Sequence, residues 1–238
     1  MRSVQVGATA AVLLLIGGAT SWANLLVNGS FEQAGPLGLP TGTGLSVGAG
    51  NASTIPGWTV IGGHAADGAA WLSNGNPFGP TTPFGSYFLD LTGYGDVFPY
   101  YGVSQTIATT AGASYTLSFD LGVDQADTRY NGPIGVRASA GSATQDFVGV
   151  TSAGAGSQWT GLTLGFTATS SSTVISILGL QAHGAAGATG GGQYIGLDNV
   201  SVDGTTTPPP PISTPEPASL LVLTAGLAAL GLRRCQRA

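Results

Sequence analysis

Period-two alternation of apolar and polar residues recurs along the chain between residues 24 and 204, and no stretch there keeps a helical period for three turns. In Ala113–Asp120, Tyr115, Leu117 and Phe119 fall on one face while Thr116, Ser118 and Asp120 fall on the other, which predicts a half-buried antiparallel strand. Ser86–Leu91 repeats the pattern with Tyr87, Leu89 and Leu91, Gly102–Ile107 does so less cleanly, and Trp159–Thr167 carries Leu162, Leu164 and Phe166 on one side. Thr173–Leu180 is apolar on both faces, as a central strand would be. Shorter runs at Leu25–Val27, Gly57–Ile61, Ala69–Leu72, Ile134–Ala138, Asp146–Val150 and Tyr194–Val202 bring the total to about ten strands, the number of a β-sandwich. Of two long connections, Ala34–Thr54 reads as a cover over a site and the Gly/Ala-rich Ala182–Gln193 as a flexible insertion, with disorder the alternative reading of both.

The ends break the alternation. Arg2 precedes the apolar stretch Ala8–Ala19, and Ser21-Trp22-Ala23 supplies small residues before a cut, so residues 1–23 read as a signal peptide cleaved between Ala23 and Asn24. Residues 24–204 form the β-sandwich ectodomain, and residues 205–214 a stiff Pro/Thr-rich linker. Beyond it, Pro215-Glu216-Pro217 leads into an uncharged run, Ala218–Leu232, followed by Arg233, Arg234 and Arg237. As a helix that run reaches about 22 Å, short of the roughly 30 Å hydrocarbon core, and the arginines place its C-terminal end in the cytoplasm. The order of Pro-Glu-Pro, apolar helix and basic stop over residues 215–238 resembles the PEP-CTERM sorting signal of Gram-negative bacteria that make extracellular polysaccharide. That resemblance implies an exosortase-type processing enzyme as partner, transient anchoring in the inner membrane, and delivery to the cell surface or extracellular matrix.

With the end segments set aside, the ectodomain has no lysine and only Arg129 and Arg137 against ten acids, a formal charge of −8 where the whole chain carries −5. Such a balance excludes nucleic acid as a partner, because phosphate binding runs on Lys and Arg, and it favours a divalent cation. The single cysteine, Cys235, lies in the tail, so no internal disulfide staples the domain.

The ordered set NLLVNGSFEQ (24–33), Ile55-Pro56-Gly57-Trp58, Gly102–Ile107, SYTLSFDLG (114–122) and Ile195–Val202 resembles galactose-binding-like jelly rolls, in particular secreted carbohydrate-binding modules and the related plant cell-wall proteins of undefined function. The resemblance implies an all-β, antiparallel jelly-roll sandwich. It also implies a structural calcium (Ca2+) shared by an acid in the opening segment and another in the closing strand, here Glu32 and Asp198. A hard cation wants carboxylate and carbonyl oxygens, and it would clip the first strand to the last. The alternative is that Glu32 caps a turn and Asp198 is solvated at a strand end. Asp120, Asp124 and Asp127 form a looser acidic group near Arg129 whose spacing fits no 12-residue calcium loop.

Sugar recognition needs flat aromatic faces beside a few hydrogen-bonding groups. Trp71, Phe78, Phe84, Tyr94, Phe98, Tyr100 and Tyr101 sit in Gly/Pro-rich context, and Trp71, Tyr94, Asp96, Tyr100 and Tyr101 form the candidate carbohydrate-binding set. Trp58 and Trp159 are assigned to the core. Neither His64 nor His183 has a nucleophile or acid at a telling spacing, and H-E-x-x-H does not occur. The expected function is therefore non-catalytic binding of carbohydrate, linked to exopolysaccharide and biofilm. The alternatives are a structural or adhesive surface protein, and a glycan hydrolase for which Asp90 and Asp96 are the first carboxylate pair to test.

Overall fold

The computed structural model describes residues 24–64, 67–182 and 192–205. The signal-peptide segment with Ala23, the linker from residue 206, the sorting signal (Pro215, Glu216, Pro217, Arg233, Arg234), helix 218–232 and His183 all lie outside these residues. Eleven strands are present: β1 (Leu45–Val47), β2 (Thr59–Gly62), β3 (Ala69–Ser73), β4 (Tyr87–Asp90), β5 (Tyr101–Ala108), β6 (Ser114–Asp124), β7 (Ile134–Ala140), β8 (Ala143–Val150), β9 (Ser157–Thr167), β10 (Ser172–Gln181) and β11 (Gly196–Thr205). They form a six-stranded sheet, β1-β3-β4-β11-β6-β9, and a five-stranded sheet, β2-β5-β10-β7-β8, with every pairing antiparallel. Among the described residues no helix is long and apolar enough to cross a membrane.

The alternation explains the two layers. In β6, Leu117, Phe119 and Leu121 are buried while Thr116, Ser118 and Asp120 between them are only half-buried, so one face of the strand meets the other sheet. Ile175 and Ile177 of β10 and Val136 and Ala138 of β7 answer from the facing sheet. β10 lies in the middle of its sheet, as expected, but its expected burial on both faces is corrected: Val174 is 53% exposed, because nothing among the described residues covers that face there.

From Leu121 to Asp124 the alternation in β6 ends and every residue is buried. The same holds for β3 at Ala69–Leu72 and β4 at Phe88–Asp90. At this end of the six-stranded sheet the outer face carries a second apolar cluster of Ala70, Leu72, Phe88, Tyr130 and Tyr194, with Trp159 packed against it. Gly122 makes this possible, since a Cβ there would meet the Trp159 ring at 2.8 Å.

The expected first strand, Leu25–Val27, is instead a strap across the seam between the sheets. Leu25 N–H donates to Val202 O (3.0 Å), while the Gln105 side chain accepts from Val27 N–H (2.7 Å) and donates to Val27 O (2.9 Å), standing in for a strand neighbour. The Asn24 carboxamide accepts from Val202 N–H and donates to Val200 O, each at 3.0 Å. Trp58, in the core as expected, donates from its indole to Asn28 O, and Trp71 does the same to Phe31 O. The opening motif is thus the lock between the two ends of the domain.

Candidate binding cleft

A cleft of about 190 Å³ opens in the outer aromatic cluster. Ala70 and Leu72 of β3 form part of its wall, Phe78 and Pro80 come from the β3–β4 connection, and Asp90 lies at the end of β4. Gly93, Tyr94 and Asp96 follow in the next loop; Arg129 and Tyr130 come from the β6–β7 loop, and Gly192, Gln193 and Tyr194 from the approach to β11. Phe78 and Tyr94 are partly exposed and stand with ring centroids 6.0 Å apart. The Tyr94 hydroxyl donates to Thr43 O, which ties the rim to the segment just before β1.

The polar end of the cleft is built around Thr92, which is fully buried. Its hydroxyl lies 2.9 Å from Asp90 Oδ1, 3.0 Å from Asp96 Oδ1 and 2.9 Å from Gln193 O. Asp90 Oδ1 also accepts from the N–H groups of Thr92 (2.9 Å) and Ile195 (3.1 Å), and Asp96 Oδ2 accepts from Gly192 N–H (2.6 Å). Burial pushes the Asp90 carboxyl up to about 8 in spite of these N–H bonds, and the neighbouring charge of Asp96 adds to the rise. Burial raises Asp96 as well, with the Gly192 N–H bond opposing it. Asp96 has a left-handed backbone (φ 51°), an uncommon state for a residue other than glycine and one that is concentrated at functional sites.

Arg129 is bound by its neighbour Asp127, with Nε 3.0 Å from both carboxylate oxygens and Nη2 2.5 Å from Oδ2. That contact holds Asp127 down at about 2. The guanidinium lies 4.9 Å from the centre of the Tyr130 ring.

Of the five residues expected to bind carbohydrate, Tyr94 and Asp96 line the cleft. For the other three the expectation is corrected, since they do not line it. Trp71 (0%) and Tyr101 (0%) are buried in the main core, and Tyr100 (2%) is buried with its hydroxyl donating to Gln193 Oε1 at 2.7 Å. Trp71 sits in β3, covered on both sides; Tyr101 starts β5 and anchors to His64 O. Trp159 is half-buried rather than core, with its indole donating to Thr81 O. Thr92, Arg129, Tyr130, Gln193 and Tyr194 were not anticipated in the cleft; the pairing of Asp90 with Asp96 was, as a carboxylate pair.

A family described as "Protein of unknown function (DUF642)" matches residues 24–187. The chain belongs to this family. The DUF642 match spans the strap, the cleft loops up to Tyr130 and the first ten strands, and stops before β11. No curated protein matches the chain. Solved structures similar to this DUF642 chain include TmCBM61 in complex with β-1,4-galactotriose, 14% identical over 76% of this chain and 98% of that one, with a TM-score of 0.43. They also include the CBM22-1 xylan-binding domain of Xyn10C from Paenibacillus barcinonensis (14% identity, 69% and 95% covered, TM-score 0.39). A third is the K3 cleaved adhesin domain of Lys-gingipain from Porphyromonas gingivalis w83 (14% identity, 78% and 99% covered, TM-score 0.44).

The two carboxylates expected to share calcium lie apart from the cleft. Glu32 Oε1 accepts from the N–H groups of Ser86 and Tyr87, each at 2.7 Å, and Gly85 (φ 150°) leaves room for this approach, since a Cβ there would meet Oε1 at 2.2 Å. A β-bulge between Asp198 and Ser201, with Asn199 left-handed (φ 52°), aims the Asp198 carboxylate inward, where it is fully buried. Its Oδ2 accepts from the Thr82 hydroxyl (2.5 Å) and its Oδ1 from Asn199 N–H (2.6 Å). Burial pushes Asp198 up to about 7, and the charge of Glu32 contributes to the rise, so the two carboxylates sense one another. The hard-oxygen donors fit calcium in kind. Among the described residues, however, no three His, Cys, Asp or Glu side chains converge, so any further ligands would be carbonyl or water oxygens. Of the looser acidic group, Asp127 is committed to Arg129, Asp124 accepts from Ala126 N–H and Asp120 accepts from the Asn199 side chain.

Proposed function

We propose that this chain is an exported, non-catalytic carbohydrate-binding protein whose cleft takes a single sugar unit or chain end. One observation carries the reading: the exposed rings of Phe78 and Tyr94 and the Tyr130 ring border the same small space as Asp90, Asp96 and Gln193. A sugar presents an apolar C–H face and a polar hydroxyl edge, and this cleft offers a surface for each. At about 190 Å³ the space is smaller than the roughly 300–1,000 Å³ of drug-sized ligand pockets, which suits one ring better than an extended chain. Glycan-panel binding of the full chain tests it; no binding to any matrix or plant-type glycan would remove it.

The acid pair supports binding rather than hydrolysis. The Thr92 hydroxyl already stands between the two carboxyls, where a hydrolase would need the scissile bond and its water. The burial of Trp71, Tyr100 and Tyr101 favours a second reading, an adhesive surface protein that uses the sandwich as a spacer. The grouped rings of Phe78 and Tyr94 weigh for the first.

The sorting tail and signal peptide extend the reading to a protein delivered through the inner membrane, processed by an exosortase-type enzyme and retained with exopolysaccharide in a biofilm matrix. Fractionation of cells with and without residues 215–238 tests this: loss of surface material on deletion supports it, and unchanged distribution contradicts it. A calcium ion held by Glu32 and Asp198 would join the strap to β11.

A further inference from the structure

The floor of the cleft contains more hydrogen-bond acceptors than hydrogens. The Thr92 hydroxyl has one hydrogen and can accept in return, yet it stands within 3.0 Å of two carboxyl oxygens and a backbone carbonyl. The carbonyl cannot donate, so two ionised carboxylates would leave oxygen facing oxygen without a hydrogen between them. A proton on Asp90 eases the contact: its Oδ1 then faces Thr92 uncharged, Thr92 donates its one hydrogen to Asp96, and the proton sits on the other Asp90 oxygen, where it can donate into the cleft. Asp90 Oδ1 is occupied by two N–H groups and the hydroxyl contact, Asp90 Oδ2 takes none of these bonds, and Asp90 lines the cleft.

The titratable groups around this floor are carboxyls and phenols. Tyr94 and Asp96 face Asp90 from the loop after β4, Tyr100 from the lead into β5, Tyr130 from the β6–β7 loop and Tyr194 from the approach to β11; Asp67 adds negative charge toward Asp96 and Tyr94. The one base lining the cleft, Arg129, is matched by its forked contact with Asp127. An anionic ligand therefore meets a net negative floor and no uncommitted positive charge, and a neutral polyol meets both a donor and an acceptor.

We infer that the Asp90–Thr92–Asp96 chain carries one shared proton and selects an uncharged sugar edge with neighbouring hydroxyls over a hexuronate. This rests on the reading of the cleft as a sugar site. Loss of that proton removes the donor and adds a second negative charge, so affinity falls as pH rises.

The test is titration calorimetry of the full chain, with calcium chelated, against neutral hexose and pentose oligomers and hexuronate oligomers of equal length at pH 5, 7 and 9. The expected result is binding of at least one neutral oligomer, about tenfold or more tighter than its uronate counterpart at pH 7 and weakening by about tenfold or more between pH 5 and 9. Equal affinity for a neutral oligomer and its uronate, or neutral-sugar affinity flat across that range, overturns the inference and leaves sugar binding standing. Absence of heat with every oligomer at every pH overturns sugar binding and the inference together. Infrared spectroscopy reads the proton without a ligand: a protonated-carboxyl signal at pH 7, to which Asp198 also contributes, that loses intensity in Asp90→Asn supports the chain, and an unchanged signal in that variant overturns it.

Discussion

Replacing Asp90 by Asn makes the stability of the domain less sensitive to pH. Asp90 is 7% exposed, and its carboxyl is raised from 3.8 to about 8, chiefly by burial. Between those values the folded chain keeps a proton that the unfolded chain has released, so stability falls as pH rises. The contribution is whole below about pH 4 and gone above about pH 8. At about 1.4 kcal/mol per pH unit the full swing is on the order of 5 kcal/mol, a large share of the roughly 5–15 kcal/mol that holds a domain folded. Asn keeps an oxygen for the Thr92 and Ile195 N–H groups and has nothing to ionise. Asp96 and Asp198 are also raised and titrate in the same direction; both remain in the variant, so the difference reports Asp90 together with its coupling to Asp96. Urea unfolding from pH 4.5 to 9 with chelator present is the assay. The variant is expected to lie within about 1 kcal/mol of wild type at pH 4.5 and to exceed it by several kcal/mol at pH 9. Parallel curves, or a wild type that gains on the variant as pH rises, would refute a protonated buried Asp90.

Three further outcomes follow from the packing. Gln105→Leu removes both bonds to the Val27 backbone, and because solvent reaches that seam the cost is expected near 2 kcal/mol in urea unfolding. Gly122→Val forces a side chain into the Trp159 ring and is expected to cost about 1–3 kcal/mol, with a change in tryptophan fluorescence as the ring is displaced. Chelation is expected to lower the Tm of wild type, with Glu32→Ala abolishing the difference; an unchanged melting curve would count against calcium at Glu32 and Asp198.

The sandwich was legible because half-buried strands advertise themselves: Leu117 and Phe119 in β6, and Leu164 and Phe166 in β9, each alternate with polar neighbours. β1 was missed because three residues inside a Gly-rich run carry too little period to read. The strap at Leu25–Val27 looks like a strand in sequence, but its partner on one side is the Gln105 side chain. Trp71 was misplaced for a different reason. The outer aromatic cluster covers one end of the six-stranded sheet, so in β3 and β4 both faces are buried and alternation no longer reports exposure. Tyr94 and Asp96 could be singled out because a ring and an acid lie two residues apart. Tyr130 and Tyr194 could not, because only the folded chain brings them together, and their local sequences resemble any other loop.

The most direct test is glycan binding to the full chain in parallel with Tyr94→Ala, whose ring is 38% exposed at the cleft rim. Stacking on that ring predicts that wild type binds at least one neutral glycan and that the variant, still folded by circular dichroism, binds it about tenfold more weakly. Equal binding by both proteins would place the sugar elsewhere, and no binding by wild type would contradict carbohydrate recognition itself.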